Sequence, residues 1–178
     1  MILDTQTKKA KKGSHDIKNP VEDFITSMYW MTEEPTDYTE QGFTEAINAG
    51  ARFGFPVTAI KQATISAGYR QGVTKDMASL RGAFFIEGFG IDQLVEVHGS
   101  VPHPREDMVR VGMGSADIRY RGQFDEWYCD LNVTYNKNGQ YSLEQIISLI
   151  NLGGFSCGIG EWRPEKDGMY GRFRVVNA

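Results

Sequence analysis

Membrane-spanning, exported and metal-binding proteins each carry sequence features that this chain lacks. No apolar run is long enough to cross a bilayer, and no apolar stretch of the signal-peptide kind opens the chain. Its two cysteines, Cys129 and Cys157, have neither the spacing of a metal site nor the number needed for a disulfide framework. We therefore expect no membrane association, no metal and no cofactor, and a location in the reducing cytoplasm.

Signatures of catalysis are also scarce. The sequence has no P-loop, dinucleotide fingerprint or Ser-His-Asp arrangement, and its three histidines, His15, His98 and His103, are scattered. Titratable side chains do gather at His103-Pro-Arg-Glu-Asp, but consecutive residues of an extended loop point in different directions. We expect a structural loop there, with Arg105 paired to an acid, and a protein that is not an enzyme.

Lys and Arg are missing from residues 21–51, which hold seven acids. The net charge of the chain is -4, which argues against coating duplex nucleic acid through bulk charge. Basic residues concentrate in the leader, in residues 52–82 and near the carboxyl end. A local basic groove for nucleic acid is compatible with this distribution, and so is an acidic surface that binds a basic protein partner.

The length of 178 residues, with 40% hydrophobic content, suits one sizeable core. Residues 1–19 are polar and lysine-rich, and predict a flexible leader. Residues 20–178 are expected to form a single domain. We expect helices from Pro20, over residues 53–69 with Pro56 in the first turn, and from Ser142, where Gln145 completes a capping box and Gly153 ends the helix. Val57, Ile60, Thr64 and Ala67 would line one face of the second helix.

Strands are expected between the second and third of these helices and again at the carboxyl end. The clearest is residues 127–135, where the residues alternate between two faces. The covered face holds Trp127, Cys129, Leu131, Val133 and Tyr135, and the solvent-exposed face holds Tyr128, Asp130, Asn132 and Thr134. The order of elements predicts an α+β fold with an antiparallel sheet, a ferredoxin-like (RRM-like) β-α-β-β-α-β variant. This order requires a strand before the first helix.

The carboxyl end is rich in glycine, arginine and aromatic residues, and predicts a β-hairpin over residues 155–176. Gly158 and Gly160 would let another backbone approach a strand, while Trp162 and Arg163 would offer a stacking plane and a guanidinium. Cys157 beside them suits a small buried filler. A bulged hairpin with a solvated charged face explains the same residues equally simply. The predicted nucleic-acid site in this hairpin comprises Gly158, Gly160, Trp162, Arg163, Lys166, Tyr170, Arg172 and Arg174.

Two motifs resemble the RAMP superfamily, ferredoxin-like proteins that form the crRNA-binding backbones of CRISPR complexes. Residues 152–176 resemble its glycine-rich loop. The run Phe55-Pro-Val-Thr-Ala-Ile-Lys-Gln-Ala resembles the start of its first helix, so that Lys61 matches the family's lysine. The resemblance implies RNA binding, membership of a CRISPR-like complex and a role for Lys61 on the backbone of the nucleic acid.

Most of the chain also resembles a family of uncharacterised tailed-phage proteins. The matching runs are Leu80-Arg-Gly-Ala-Phe-Phe, Arg105-Glu-Asp-Met-Val-Arg-Val-Gly, Ala116-Asp-Ile-Arg-Tyr-Arg and Gly158-Ile-Gly-Glu-Trp-Arg-Pro-Glu-Lys. This resemblance implies a phage protein that acts in the host cytoplasm during infection. Phage relatives carry one further strand before the lysine-rich segment, so the sheet is expected to lack its first strand here or to receive it from a partner.

Arg119 and Arg121 lie on one face of a predicted strand, with Tyr120 on the other. They form a positive strip that extends the predicted nucleic-acid site of the hairpin, or else they are ordinary exposed arginines.

The leading hypothesis is a non-enzymatic, RAMP-like protein that binds single-stranded nucleic acid, RNA in particular, alone or as a homo-oligomer. The alternatives are an anti-defence (anti-CRISPR-type) inhibitor that binds a host defence protein through its acidic face, and a phage structural or assembly component.

Overall fold

The structure is a computed structural model that describes residues 1–4, 18–111 and 115–176. The chain divides into two compact units. The first unit contains Met1, Phe55–Val95 and Cys129–Ala178, and the second contains Ile2–Gly54 and Glu96–Tyr128. The expectation of a single domain over residues 20–178 stays a prediction.

Five helices and eight strands are described. The helices are α1 (Pro20–Thr26), α2 (Glu40–Asn48), α3 (Val57–Arg70), α4 (Met77–Arg81) and α5 (Leu143–Ser156). The strands are β1 (Tyr29–Trp30), β2 (Phe53–Pro56), β3 (Phe84–Ile86), β4 (Leu94–Gly99), β5 (His103–Val111), β6 (Ser115–Gln123), β7 (Trp127–Tyr128) and β8 (Val133–Tyr135). A short 3-10 helix follows at Pro164–Lys166.

The predicted α+β class with antiparallel pairing is confirmed. The described strands form three sheets: a four-stranded sheet in the order β1-β2-β4-β7 and the two-stranded pairs β3-β8 and β5-β6. The strands run antiparallel in the pairs β1-β2, β3-β8, β4-β7 and β5-β6.

Helix α3 confirms the predicted apolar face. Val57, Ile60, Thr64 and Ala67 are all buried. The helix begins at Val57, because the four residues before it, Phe53–Pro56, form β2.

Helix α5 begins as predicted and ends later than predicted. Ser142 and Gln145 form the expected capping box, with the Gln145 N–H donating to Ser142 Oγ and the Ser142 N–H donating to Gln145 Oε1. The predicted stop at Gly153 is wrong, since the helix continues to Ser156. A Cβ at Gly153 would lie 2.8 Å from Thr64 Cα, so the missing side chain lets α5 approach α3 instead of ending the helix.

The predicted long strand at residues 127–135 is correct in its alternation and wrong in its continuity. The exposed residues are Tyr128, Asp130, Asn132 and Thr134, and the partly covered residues are Trp127, Cys129, Leu131, Val133 and Tyr135. The segment is divided into β7, whose partner is β4, and β8, whose partner is β3. A change of partner leaves the period-two pattern intact, and therefore the sequence pattern does not reveal the break.

Aromatic rings form the core of the second unit. The Trp30 ring lies 4.7 Å from that of Phe53 and 6.3 Å from that of Phe43, centroid to centroid. Phe53 also meets Phe124 at 5.7 Å. Phe43 comes from α2, a helix that the polar sequence of residues 32–50 did not predict.

Residues 2–4 are ordered, contrary to the predicted flexible leader. Ile2 and Leu3 are fully buried, and the Leu3 N–H donates to the Gly122 carbonyl at 3.0 Å. Ile2 also bridges Gln123 in an antiparallel register, beside β6. Residues 5–17 of the predicted leader lie outside the described residues.

Candidate nucleic-acid interface

Residues 157–176, here called the glycine-rich loop, are a closed loop of the first unit. The predicted pair of strands is wrong, because residues 155 and 156 belong to α5 and no residue from 157 to 176 is in a strand. Two backbone bonds close the loop: the Ile159 N–H donates to the Gly171 carbonyl at 2.9 Å, and the Tyr170 N–H donates to the Trp162 carbonyl at 3.0 Å.

The loop's glycines allow its own backbone segments to meet. Gly158 and Gly171 have φ values of 65° and 66°, in the left-handed region that glycine adopts without strain. A Cβ at Gly171 would lie 1.7 Å from the Ile159 carbonyl oxygen. Gly158 is buried against Pro164, and Gly160 is also left-handed, with φ of 77°. The prediction that Gly158 and Gly160 lie in a strand is therefore wrong.

Arg163 is half-buried and forms hydrogen bonds within the loop. Its Nε donates to Glu165 Oε2 at 3.1 Å, and its Nη1 donates to the Gly160 carbonyl at 2.9 Å. Glu165 also pairs with Arg70 of α3 at 2.8 Å. This arrangement gives Arg163 a role in shaping the loop and, through Glu165, in joining it to α3.

Aromatic side chains lie at the loop surface. Trp162 is 38% exposed and Tyr170 is 37% exposed, and the bond between their backbones holds the two positions together. Trp162 has a φ of 52°, which is unusual for a bulky residue and carries a conformational cost. Backbone strain of this kind is common at binding sites, where it fixes the direction of a side chain.

Arg172 and Arg174 are exposed because the residues next to them are tied to α5. The Phe173 N–H donates to the Gly154 carbonyl at 3.3 Å, and the Val175 N–H donates to Asn151 Oδ1 at 2.7 Å. Phe173 and Val175 are half-buried, whereas the alternating arginines are exposed. Lys166, at the end of the 3-10 helix, is exposed as well.

Lys61 lies beside β3. Its Nζ is 4.0 Å from the centroid of the Phe85 ring and 5.6 Å from that of Phe84. Burial lowers the pKa of the Lys61 ammonium. Phe85 is an exposed aromatic residue that the sequence interpretation missed, although alternation along Phe84–Ile86 places Phe84 and Ile86 inward and Phe85 outward.

The predicted positive strip on β6 is wrong. Arg119 and Arg121 do share a face, but both bond the carboxylate of Asp4, with Nη1 of Arg119 and Nη2 of Arg121 at 3.0 and 2.8 Å from Oδ2. Arg121 is only 3% exposed and also bonds Asp107, at 3.2 Å. These arginines therefore neutralise buried carboxylates of the second unit.

The predicted pairing of Arg105 with an acid is confirmed, since its Nε donates to Asp107 Oδ1 at 2.8 Å. His103 and Arg105 lie in β5 and not in the predicted loop. Cys157 is buried, as expected of a small residue that fills space in the core.

Within residues 1–4, 18–111 and 115–176, no group of three or more His, Cys, Asp and Glu side chains is arranged to hold a metal ion. None of the helices in this part of the chain has the length and hydropathy of a membrane span.

Comparisons with protein-family models, with curated proteins and with solved structures found no match to the chain. Function is therefore inferred from the chemistry of the described residues.

Proposed function

We propose that the chain binds single-stranded nucleic acid, RNA in particular, through exposed side chains of the glycine-rich loop, without cleaving it. The observation that carries the proposal is the outward direction of Arg172 and Arg174, which results from the attachment of Phe173 and Val175 to α5. Trp162 and Tyr170 lie in the same loop. Gly158, Gly160 and Arg163 support the loop without belonging to its contact surface.

The chemistry of these side chains matches the two parts of a single strand. Guanidinium groups bind phosphate oxygens through paired N–H donors, and Lys166 adds a point charge. Unpaired bases stack on aromatic rings, a contact worth about 1–3 kcal/mol for each base. A duplex hides its base faces, so the combination of exposed aromatic rings and arginines favours a single strand.

The charge of the two units supports a local basic site in an acidic chain. The first unit, which contains the loop, holds nine Lys and Arg against eight Asp and Glu. The second unit holds ten Lys and Arg residues and fifteen Asp and Glu residues. Most of the net negative charge therefore belongs to the second unit.

We further propose that the first unit is a RAMP-like variant of the ferredoxin-like fold, from a phage, that acts in the host cytoplasm alone, as a homo-oligomer or within a CRISPR-like complex. The antiparallel pairing of β3 with β8, strands that lie between α3 and α5 in sequence, supports the fold proposal, as does the packing of α3 against α5. Lys61 would then act as a second phosphate contact beside Phe85.

The experiment is a measurement of RNA affinity by fluorescence anisotropy, with an unstructured oligonucleotide of about 16 nucleotides, the upper site size of one small single-strand-binding domain. The test variant is Arg172→Ala with Arg174→Ala. The matched control is Lys75→Ala with Arg81→Ala, which removes the same charge from exposed positions of the same unit. The proposal predicts that only the test variant loses affinity, and equal losses in both variants would refute a site in the loop.

Protein binding through the acidic second unit is the alternative proposal, for a phage inhibitor of a host defence protein. Glu22, Glu33, Asp37, Glu40 and Glu45 are exposed in a segment that holds no Lys or Arg. Glu33→Gln with Glu40→Gln should then release a basic protein partner that the wild-type chain retains, while leaving RNA affinity unchanged.

A role in phage assembly predicts self-association of the chain, which light scattering measures directly.

A further inference from the structure

The hairpin of β5 and β6 in the second unit has one covered edge and one open edge. The covered edge belongs to β6, where the Leu3 N–H donates to the Gly122 carbonyl at 3.0 Å and the Gly122 N–H donates to Ser27 Oγ at 2.9 Å. The open edge belongs to β5, since β6 is its only partner among the strands of the described residues. An edge strand of this length presents a row of N–H and C=O groups to which another strand can bond.

The two bonds of Gly122 show which residues of β5 face the open edge. Both bonds point away from β5, and the backbone direction repeats at every second residue of a strand. Ile118 therefore points the same way as Gly122, and its carbonyl accepts a hydrogen bond from outside the hairpin. Residues directly opposite each other in an antiparallel pair point either together or apart, so Met108, the partner of Ile118, points to the open edge. Glu106 and Arg110, two residues to either side of Met108, do the same.

The side chains of Glu106, Met108 and Arg110 form an exposed row with a symmetric pattern of charge. All three are exposed, whereas the residues between them are buried or half-buried. Met108 is 74% exposed and lies opposite Ile118, which is 42% exposed. Tyr120, opposite Glu106, donates a hydrogen bond to its carboxylate, which keeps further acceptor positions. An apolar residue thus lies midway between an acid and a base on an unpaired edge.

We propose that this edge joins two copies of the chain in a symmetric dimer, in which β5 runs antiparallel to β5 of the partner subunit. The two-fold axis passes between Met108 and Met108 of the partner subunit. Glu106 then faces Arg110 of the partner subunit, and symmetry repeats this ion pair on the other side of the axis. Each of the facing pairs exchanges both of its N–H···O bonds, and the two hairpins become one four-stranded sheet in the order β6-β5-β5-β6.

The charges favour a second copy over an unrelated strand. Charged residues on an edge strand discourage indiscriminate pairing, whereas opposite charges that face each other across two strands stabilise the pair. A shift of two residues in either direction places Glu106 or Arg110 opposite Met108 and removes both ion pairs. A parallel arrangement in register places like charges side by side. The antiparallel arrangement centred on Met108 is therefore the one that this strand's own charges select.

The expected dimer is weak and closed. A single pair of strands buries less area than a standard protein interface, so we expect affinity in the micromolar range. Both copies use the same edge, and association therefore stops at two copies. The inference does not rest on RNA binding, because β5 belongs to the second unit and the glycine-rich loop to the first. Loop variants that lose RNA affinity should dimerise like the wild type.

The test is sedimentation equilibrium of the intact chain, without RNA, over concentrations that span the micromolar range. The wild type should pass from monomer to dimer as its concentration rises. Glu106→Arg and Arg110→Glu should each weaken dimerisation by about tenfold or more, because each variant turns both ion pairs into pairs of like charge. Glu126→Arg, the same charge change at another exposed position of the second unit, is the control and should dimerise like the wild type.

Two rescue experiments separate a lost interface from a damaged fold. The double variant Glu106→Arg with Arg110→Glu exchanges the charges and should dimerise again. An equimolar mixture of the two single variants should form a heterodimer, since one chain then carries two positive charges and the other two negative charges. In hydrogen exchange of the wild type, the amides of Glu106, Met108 and Arg110 should gain protection as the concentration rises. A chain that stays monomeric, single variants that dimerise like the wild type, failure of both rescues, or a dimer without added protection in β5 would each overturn the proposal.

Discussion

The Arg121 guanidinium lies 2.8 Å from the carboxylate of Asp4, and both side chains are almost completely buried, at 3% and 0% exposure. Arg119 bonds the same Asp4 oxygen, and Arg121 also reaches Asp107. The two arginines that the sequence interpretation assigned to a nucleic-acid track thus hold residues 2–4 beside β6. Their charge is compensated inside the second unit.

Removal of Asp4 is expected to destabilise the fold strongly. In Asp4→Ala, Arg121 loses one of its carboxylate partners in a buried site, and breaking a buried pair in this way costs about 3–5 kcal/mol of unfolding free energy. Urea unfolding measures the change. Asp125→Ala, which removes the exposed partner of His103, is the control and should leave the midpoint close to that of the wild type. Equal midpoints for the two variants would show that the ion pairs of Asp4 with Arg119 and Arg121 do not stabilise the fold.

A methyl group at Gly153 is expected to destabilise α5. Helix propensity alone favours Gly153→Ala by about 1 kcal/mol. The new Cβ would lie 2.8 Å from both the Thr64 N and Cα atoms, and overpacking of this kind costs about 1–3 kcal/mol. Thermal unfolding should therefore show a lower midpoint in Gly153→Ala. Gly82→Ala, whose Cβ meets nothing within 4 Å, should have no such effect, and a stabilised Gly153→Ala would refute the close helix contact.

Both thiols are expected to react slowly in the folded protein. Burial raises the pKa of Cys129 to about 12 and also raises the pKa of Cys157. Because the thiolate is the reactive form, alkylation at mildly alkaline pH should be slow until denaturant is added. Mass spectrometry of the alkylated chain measures this directly. Rapid modification of native Cys129 would contradict the predicted shift in its pKa.

The pair formed by Arg52 and Glu96 is expected to make stability depend on pH in the acidic range. Hydrogen bonding to Arg52 lowers the pKa of Glu96 from its ordinary value of 4.5. The folded state then binds fewer protons, so the stabilisation is present above that ordinary value and is lost as the pH falls through the lower folded pKa. Glu96→Gln should lose less stability than the wild type over this range in urea titrations. Parallel pH profiles for the two proteins would contradict the shift.

The parts of the fold that the sequence predicts are those that depend on near neighbours. The capping box at Ser142 and Gln145 involves residues three apart, and the buried face of α3 follows helical spacing. Alternation at residues 127–135 likewise survives the change of strand partner. Each pattern is fixed by local backbone geometry, so it is legible without knowledge of the tertiary structure.

The errors involve partners that are distant in sequence. Arg121 pairs with Asp4, which is 117 residues away, and nothing in the local strand pattern indicates that the covered face contains a carboxylate. Gly153 resembles a helix end locally, but its contact with Thr64 depends on how α3 and α5 pack. For the candidate site, composition identified the exposed aromatic and basic residues of the loop. It did not distinguish Arg163, which bonds the loop backbone, from Arg172 and Arg174, which are exposed.

The salt dependence of single-stranded RNA affinity tests the central proposal most directly. Each phosphate contact contributes about -0.7 to the slope of log affinity against log salt concentration for a single strand. Arg172→Ala with Arg174→Ala should therefore make the slope shallower by about 1.4 relative to the wild type. The control Lys75→Ala with Arg81→Ala should keep the wild-type slope. An unchanged slope in the Arg172 and Arg174 variant, or no RNA binding by the wild type at low salt, would contradict a nucleic-acid site in the glycine-rich loop.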